Sequence, residues 1–195
     1  MALSNLHSLT AALPSLRLED RTAPQVACEG QIHFVQTAED VKSMVHRLFS
    51  VASGSQALYM DSEGVNLSRH GTISLLQVWD PLQKAAFLLD VYTLGSQAFT
   101  EKDSDGKTLK ALLECAEIKK CWFDARNDAD ALYALFNVRL AGVVDIQLME
   151  VASRVGPRHV LCSLAACIKQ EQPLLGAALR LWQETKDQVA SMFDP

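Results

Sequence analysis

A strand that runs into two carboxylates constrains this chain more than any other feature. Residues 57–61 (ALYMD) form an apolar run that stops at Asp61, and Glu63 follows two positions later. Residues i and i+2 of a strand point to the same face, so Asp61 and Glu63 converge. Carboxylates held against a hydrophobic sheet are costly unless they are paired or hold a metal. Two convergent hard-oxygen ligands suit Mg²⁺ or Mn²⁺. A second strand-like segment, residues 71–79 (GTISLLQVW), follows the intervening loop.

The surrounding pattern supplies the rest of a sheet. Residues 31–35 (QIHFV) read as a first strand. Thr37 reads as an N-cap with Asp40 three residues on, a capping-box variant. It opens a helix over 38–50 with Val41, Met44, Val45, Leu48 and Phe49 at helical spacing. Strands are expected at 57–61, 72–79 and 85–91, the last two parted by the turn signal Asp80-Pro81. After the polar loop 101–107 (EKDSDGK) come a helix over 108–114, a strand over 119–123 and a helix over 127–136. A strand over 142–144, a helix from its cap Asp145 to Ser153, and helices at 161–169 and 176–192 complete the chain. Strands first, then alternation, then helices describe an α/β domain with a mixed sheet. There is no internal repeat, low-complexity tract or interior linker.

The 195 residues suffice for one domain with a substantial core. No apolar stretch reaches the ~18 residues of a membrane span, so no membrane partner is expected. A net charge of −5 argues against a broad basic surface for nucleic acid, but not against contact with phosphates through metal ions. The five cysteines (Cys28, Cys115, Cys121, Cys162 and Cys167) form no CxxC pair. They read as reduced, buried thiols of an intracellular protein, nuclear or cytoplasmic, and not as a zinc site. Residues 1–28 lack the basic region and compact apolar core of a secretory signal and read as a loosely ordered lead-in.

Three segments carry the chemistry: Asp61-Ser62-Glu63, then residues 122–130 (WFDARNDAD), then residues 143–148 (VVDIQL). Each lies where a strand ends, which is where open α/β sheets place their sites. Residues 59–64 with 71–78, residues 123–132 and residues 144–147 resemble, in order and spacing, the DEDD superfamily of 3′-5′ exonucleases, in the ribonuclease D-like branch with a ribonuclease H-like fold. The resemblance runs from Ile32 to about Ser153. It implies removal of nucleotides from 3′ ends of RNA or DNA by a two-metal mechanism with Mg²⁺ or Mn²⁺. By position, Asp61 would bridge both ions, Glu63 would hold the ion carrying the attacking water, and Asp128 would reach the second ion through water. Residues 29–195 then form an exonuclease-like domain, expected to be incomplete at its C-terminal side.

The resemblance stops short at one point. The family's third motif, a Tyr or His followed closely by an Asp, has no counterpart: beyond Asp145 the chain offers only His159, Asp187 and Asp194 in those residue types. The other polar residues have plain readings beside functional ones. Asp124 and Asp130 read as solvated or capping. Asp145 reads as an N-cap, or alternatively as an acid facing the cleft. Arg126 and Asn127 could meet the sugar-phosphate of the terminal nucleotide, and His70 with Arg69 could touch a phosphate from the loop. Arg154, Arg158 and His159 form a basic cluster that reads first as a charged surface loop. Trp79, Trp122 and Trp182 read as core residues and not as base-stacking platforms. The leading expectation is a metal-dependent exonuclease on single-stranded nucleic acid, RNA before DNA. The alternative is a silent exonuclease-like domain that binds RNA or a protein partner. A third reading, a nucleotide-sugar or dinucleotide enzyme on a doubly wound sheet, is poor because no GxGxxG appears.

Overall fold

The computed structural model describes residues 30–52 and 56–193; the expectation for residues 1–28, including Cys28, lies outside them. Six strands form one mixed sheet in the order β1-β4-β3-β2-β5-β6: β1 (Gln31–Val35), β2 (Leu58–Glu63), β3 (Leu75–Asp80), β4 (Ala85–Asp90), β5 (Lys120–Trp122) and β6 (Val143–Asp145). Strand β3 runs antiparallel to both β2 and β4, whereas the β1–β4, β2–β5 and β5–β6 pairs are parallel. All strands except β3 therefore end at the same edge of the sheet.

The helix α1 (Ala38–Ala52) covers one face of the sheet. Its entry is the expected capping box. Thr37 N donates to Asp40 Oδ2 at 3.0 Å and Asp40 N returns a bond to Thr37 Oγ1 at 3.2 Å. That pairing, led by the Thr37 hydroxyl, holds the Asp40 carboxyl below its usual range. Val41, Met44, Val45 and Leu48 are fully buried on one side of α1, the stripe its spacing predicts. They meet the buried set of strand residues Leu58 and Met60, Leu76 and Val78, and Ala85, Phe87 and Leu89.

The alternate strand residues form the opposite face, which is far more open. Ile32 and Phe34 of β1 are 63% and 67% exposed, Tyr59 of β2 is exposed, and Gln77, Trp79 and Leu88 are half-buried. Of the tryptophans, Trp122 lies in the core as expected, while Trp79 and Trp182 are half-buried.

Two short helices, α2 (Val91–Leu94) and α3 (Gln97–Thr100), follow β4. At four residues each they are too short to show a period, but Asp90 marks the first by accepting from Thr93 N. Next come α4 (Leu109–Glu114), capped by Thr108, and α5 (Arg126–Phe136). Lys120, fully buried in β5, donates to Leu112 O at 3.0 Å and Cys115 O at 2.7 Å, satisfying carbonyls at the end of α4. Burial pulls its ammonium down to about 8.

The rest is helical: α6 (Ile146–Ser153), α7 (Leu164–Glu171) and α8 (Gly176–Phe193). Helix α7 starts later than residue 161 because Ser163 is its cap, accepting from Ala166 N at 3.2 Å. The four described cysteines are unpaired; Cys121 is buried and the others half-buried. Among the described residues no helix is long and apolar enough to cross a membrane.

Candidate active site

The register explains why the acids meet. Leu58 and Tyr59 of β2 lie beside Lys120 and Cys121 of β5. Strand β5 ends at Trp122, so β2 projects beyond it, and the chain turns into α5 beside Asp61. The turn is tight: Asp124 adopts a left-handed φ of 62°. Asp128 stands in the first turn of α5, buried at 6% exposure. Asp61 and Glu63 follow Tyr59 in alternation on the open face of β2. The expected convergence of Asp61 and Glu63 on one side of a strand is thus what the backbone provides.

The electrostatics match a crowded acidic group. Burial, then the neighbouring Asp61 charge, raises the Asp128 carboxyl from 3.8 to about 6. Asp61 is open to solvent on its outer side, yet the protein around it raises its carboxyl as well by loss of hydration; Lys186 counters this and Glu63 adds to it. Asp128 Oδ1 and the buried hydroxyl of Ser62 each lack a well-formed hydrogen bond, although Ser62 is close enough to Asp128 to offset part of the rise. A buried carboxylate oxygen left unpaired is costly, and a cation relieves that cost. A cation of the protein itself near these acids is Lys186 of α8, whose Nζ lies 3.7 Å from Glu63 Oε1. The ligand atoms of Asp61, Glu63 and Asp128 are not as tightly gathered as those of the trio His46, Asp103 and Asp105 elsewhere.

Around the acids, two groups that sequence reading left as capping or solvated residues turn out to organise the edge. Asp145 accepts from Gln147 N at 2.9 Å and Leu148 N at 3.3 Å as the cap of α6. It also accepts from Asp124 N at 3.2 Å and Ala125 N at 3.1 Å. The N-cap residue of α5, Ala125, has no side-chain cap of its own, so Asp145 from the next strand serves both turns. Four backbone donors absorb this carboxylate, which leaves it no role as a substitute cleft acid. Asp130, one turn face away from Asp128, clasps Arg69: Arg69 N and Nε donate at 2.9 and 3.0 Å, and Nη2 at 2.5 Å. This ties the loop 64–71 to α5. The loop is compact enough that a Cβ on Gly64 would lie 2.0 Å from Thr72 O, so glycine is required there.

The expected substrate-binding residues are at the rim. His70 and Asn127 are exposed. Arg126 is exposed too, but its guanidinium is engaged by Asp124 at 2.5 and 2.7 Å. Arg154 is not a free phosphate ligand. It binds Glu150 at 2.5 and 2.7 Å and donates to the carbonyls of Pro157 and Val160. Clustered arginine in sequence gave no sign of these internal acceptors.

A ribonuclease H-like mixed sheet with acids at the ends of β2 and at the start of α5 defines the class: a DEDD-type exonuclease domain. Residues 32–170 match the family model described as 3′-5′ exonuclease, and the chain belongs to that family. It is 33% identical over 94 residues to the mouse piRNA biogenesis protein EXD1, covering 48% of this chain and 15% of that protein. It resembles the structure of Trypanosoma brucei RNase D in complex with RNA U12, with a TM-score of 0.62 and 25% identity over 76% of this chain and 49% of that one. Escherichia coli RNase D shares the fold, with a TM-score of 0.52 at 19% identity over 74% of this chain and 34% of that one. The chain thus spans half or less of these three proteins.

Proposed function

We propose that this domain removes nucleotides from the 3′ end of single-stranded RNA, with Asp61, Glu63 and Asp128 as its acidic centre. The observation that carries the reading is that Asp61 and Glu63 share one face of β2 while Asp128, at the start of α5, feels burial and the Asp61 charge and is raised to about 6. A group of this kind fits divalent cations: oxygen donors alone, close enough to raise one another's pKa, and short of positive charge. Mg²⁺ or Mn²⁺ held by Asp61, Glu63 and Asp128 would supply Lewis-acid neutralisation of the phosphodiester. The chain's own residues do the rest. The Arg69–Asp130 clasp and the Asp145 carboxylate hold the flanking turns in place. Asn127 and His70 offer donors at the rim for a sugar-phosphate, and Arg126 does so by exchanging Asp124 for a phosphate. RNA is favoured over DNA because the relatives are an RNase D with RNA bound and a piRNA biogenesis protein. An intracellular site of action suits both unpaired cysteines and that substrate.

A second reading, a silent domain that binds RNA or a protein partner, is favoured by one observation. Residues 146–193 contain no Tyr, and their single His, His159, is on an exposed loop, so no water-orienting group from this part of the chain joins the acids.

The deciding experiment is degradation of 5′-labelled single-stranded RNA and DNA with Mn²⁺ or EDTA. The exonuclease reading expects a metal-dependent 3′-shortening ladder on RNA that falls about 10³-fold or more in Asp61→Ala, as loss of one member of a catalytic unit does. Undiminished activity in that variant overturns the assignment. RNA retention without a ladder, from folded protein, selects the second reading.

A further inference from the structure

The acidic centre lies at the edge of the sheet where β2 ends and α5 begins. On the side covered by α1 there is a different group of metal-type donors. His46 leaves the outer flank of α1 and meets the loop between α3 and α4, two helices that both pack against α1. The loop is closed on itself. Asp103 N donates to Lys107 O at 2.9 Å and Gly106 N to Asp103 O at 3.1 Å. Gly106 turns the chain with a φ of 77°. Within the turn, Asp103 Oδ1 accepts from Asp105 N at 2.9 Å and from Lys107 N at 2.8 Å.

Those bonds account for Oδ1 alone. Asp103 Oδ2 makes no hydrogen bond, although the side chain is only 1% exposed. It points at His46, whose Nδ1 is 3.7 Å away, too far for a hydrogen bond. Asp105 completes the group: one ligand atom from each of His46, Asp103 and Asp105 lies within 4.8 Å of the others. Donors bonded to a common cation at about 2.1 Å sit roughly 3.4 Å apart in a tetrahedron, so the spacing needs only small side-chain rotations. The donor set selects the ion. One imidazole with two carboxylates suits Zn²⁺ and its neighbours, whereas Ca²⁺ asks for six to eight oxygens. The local competitors are weak: Ser104 Oγ stands 3.5 Å from His46 Nδ1, at the outer limit of a hydrogen bond, and Lys107 Nζ is 3.6 Å from Asp105 Oδ2 and rests over the Phe49 ring at 4.9 Å, an exposed pair that contributes little.

We propose that His46, Asp103 and Asp105 bind a transition-metal ion of the zinc class, fastening α1 to the α3–α4 loop behind the sheet. The ion is independent of the acidic centre and stands or falls apart from the exonuclease reading.

The test titrates Zn²⁺ calorimetrically into the full chain carrying Asp61→Asn and Asp128→Asn, which weakens the front site. The expected result is one equivalent bound, with affinity reduced about 100-fold by His46→Gln, on the scale of a lost or disordered ligand. The same equivalent raises the melting temperature, and Co²⁺ in its place gives visible d–d absorption that His46→Gln abolishes. Binding unaffected by Glu101→Gln is the control for nearby charge. No Zn²⁺ equivalent, or one that His46→Gln leaves intact, overturns the proposal and leaves a His46–Asp103 ion pair only. His46 is half-exposed, so its variant is expected to fold; circular dichroism checks this, and Asp103→Asn serves as a second variant that keeps Oδ1.

Discussion

The two parts of this chain are built to different standards. From β1 to the end of α5, the sheet and its helices bury a continuous core, and every buried hydrophobic side chain of the described residues lies between Val35 and Val138. From α6 onward the helices bury almost nothing: Gln147 is the buried residue there, while Val155, Val160, Leu161, Leu175 and Leu181 stand exposed. The contacts of the second part are largely polar. Gln147 Nε2 donates to Cys162 O at 2.9 Å and Arg154 ties α6 to the following loop, both within that part, while Lys186 reaches across to Glu63. The lesson is that the fold rests on the first part, while the second contributes charge and caps to the edge where the acids meet.

The strongest way to break this contrast is to truncate one leucine in each part. Leu112→Ala, in the core, should cost ~2–5 kcal/mol, whereas Leu181→Ala on exposed α8 should stay within about 0.5 kcal/mol. Urea unfolding measures both. Equal losses would mean that α8 shares the core after all. Asp145→Ala comes next. It strips an acceptor from four backbone donors at once, two in each part. A loss of about 3 kcal/mol is expected, more than the ~1 kcal/mol of an ordinary cap. Asp145→Asn keeps one oxygen and should recover part of it. A loss no greater than a single cap would show that the α5 turn does not depend on β6.

Much of the first part was legible in the sequence, for identifiable reasons. Strand alternation placed Asp61 and Glu63 on one face, and the Thr37/Asp40 cap and the stripe Val41, Met44, Val45 and Leu48 defined α1. These signals are local, and local signals survive in sequence. What was not legible depends on partners distant along the chain. Asp130 read as solvated, yet it binds Arg69, 61 residues away. Asp145 read correctly as a cap, but its second duty at Asp124 and Ala125 crosses from one turn to another. The group of His46 with Asp103 and Asp105 was invisible because its members are separated by over fifty positions and join only when the loop packs on α1. Strand β3 was expected from Thr72 but begins at Leu75, because Thr72 closes the preceding loop by accepting Val65 N through its hydroxyl.

The contrast can be sharpened at Asp128, where the well-packed part carries a strained charge. Its folded pKa, about 6, lies above the ordinary 3.8. Below pH 4 both folded and unfolded chains hold the proton, and there is no penalty. Between pH 4 and 6 the unfolded chain ionises first, so stability falls as pH rises. Above pH 6 the penalty is constant at about 3 kcal/mol. Asp128→Asn should therefore raise the melting temperature by roughly 5 °C or more at pH 7.5 and by nothing near pH 4. Mn²⁺ should stabilise the wild type at pH 7.5 and the variant much less. A gain of the same size at both pH values would assign the effect to packing instead of charge.

The smallest effect tests the link between the two parts. Lys186 is exposed on α8 and its Nζ stands 3.7 Å from Glu63 Oε1, so removing it by Lys186→Ala should change global stability by less than about 1 kcal/mol. Its local effect has a definite sign. Lys186 is the main influence opposing the rise of the Asp61 carboxyl; without it, Asp61 should titrate at a higher pH. Carboxyl chemical shifts followed by NMR across pH 3–8 read this directly, using Asp40 on α1 as an internal reference that should not move. An unchanged Asp61 titration would place α8 away from the acids in solution and reduce the second part of the chain to a passenger. An upward shift with unchanged stability is the signature of a tail that tunes the charge of a site whose scaffold it does not support.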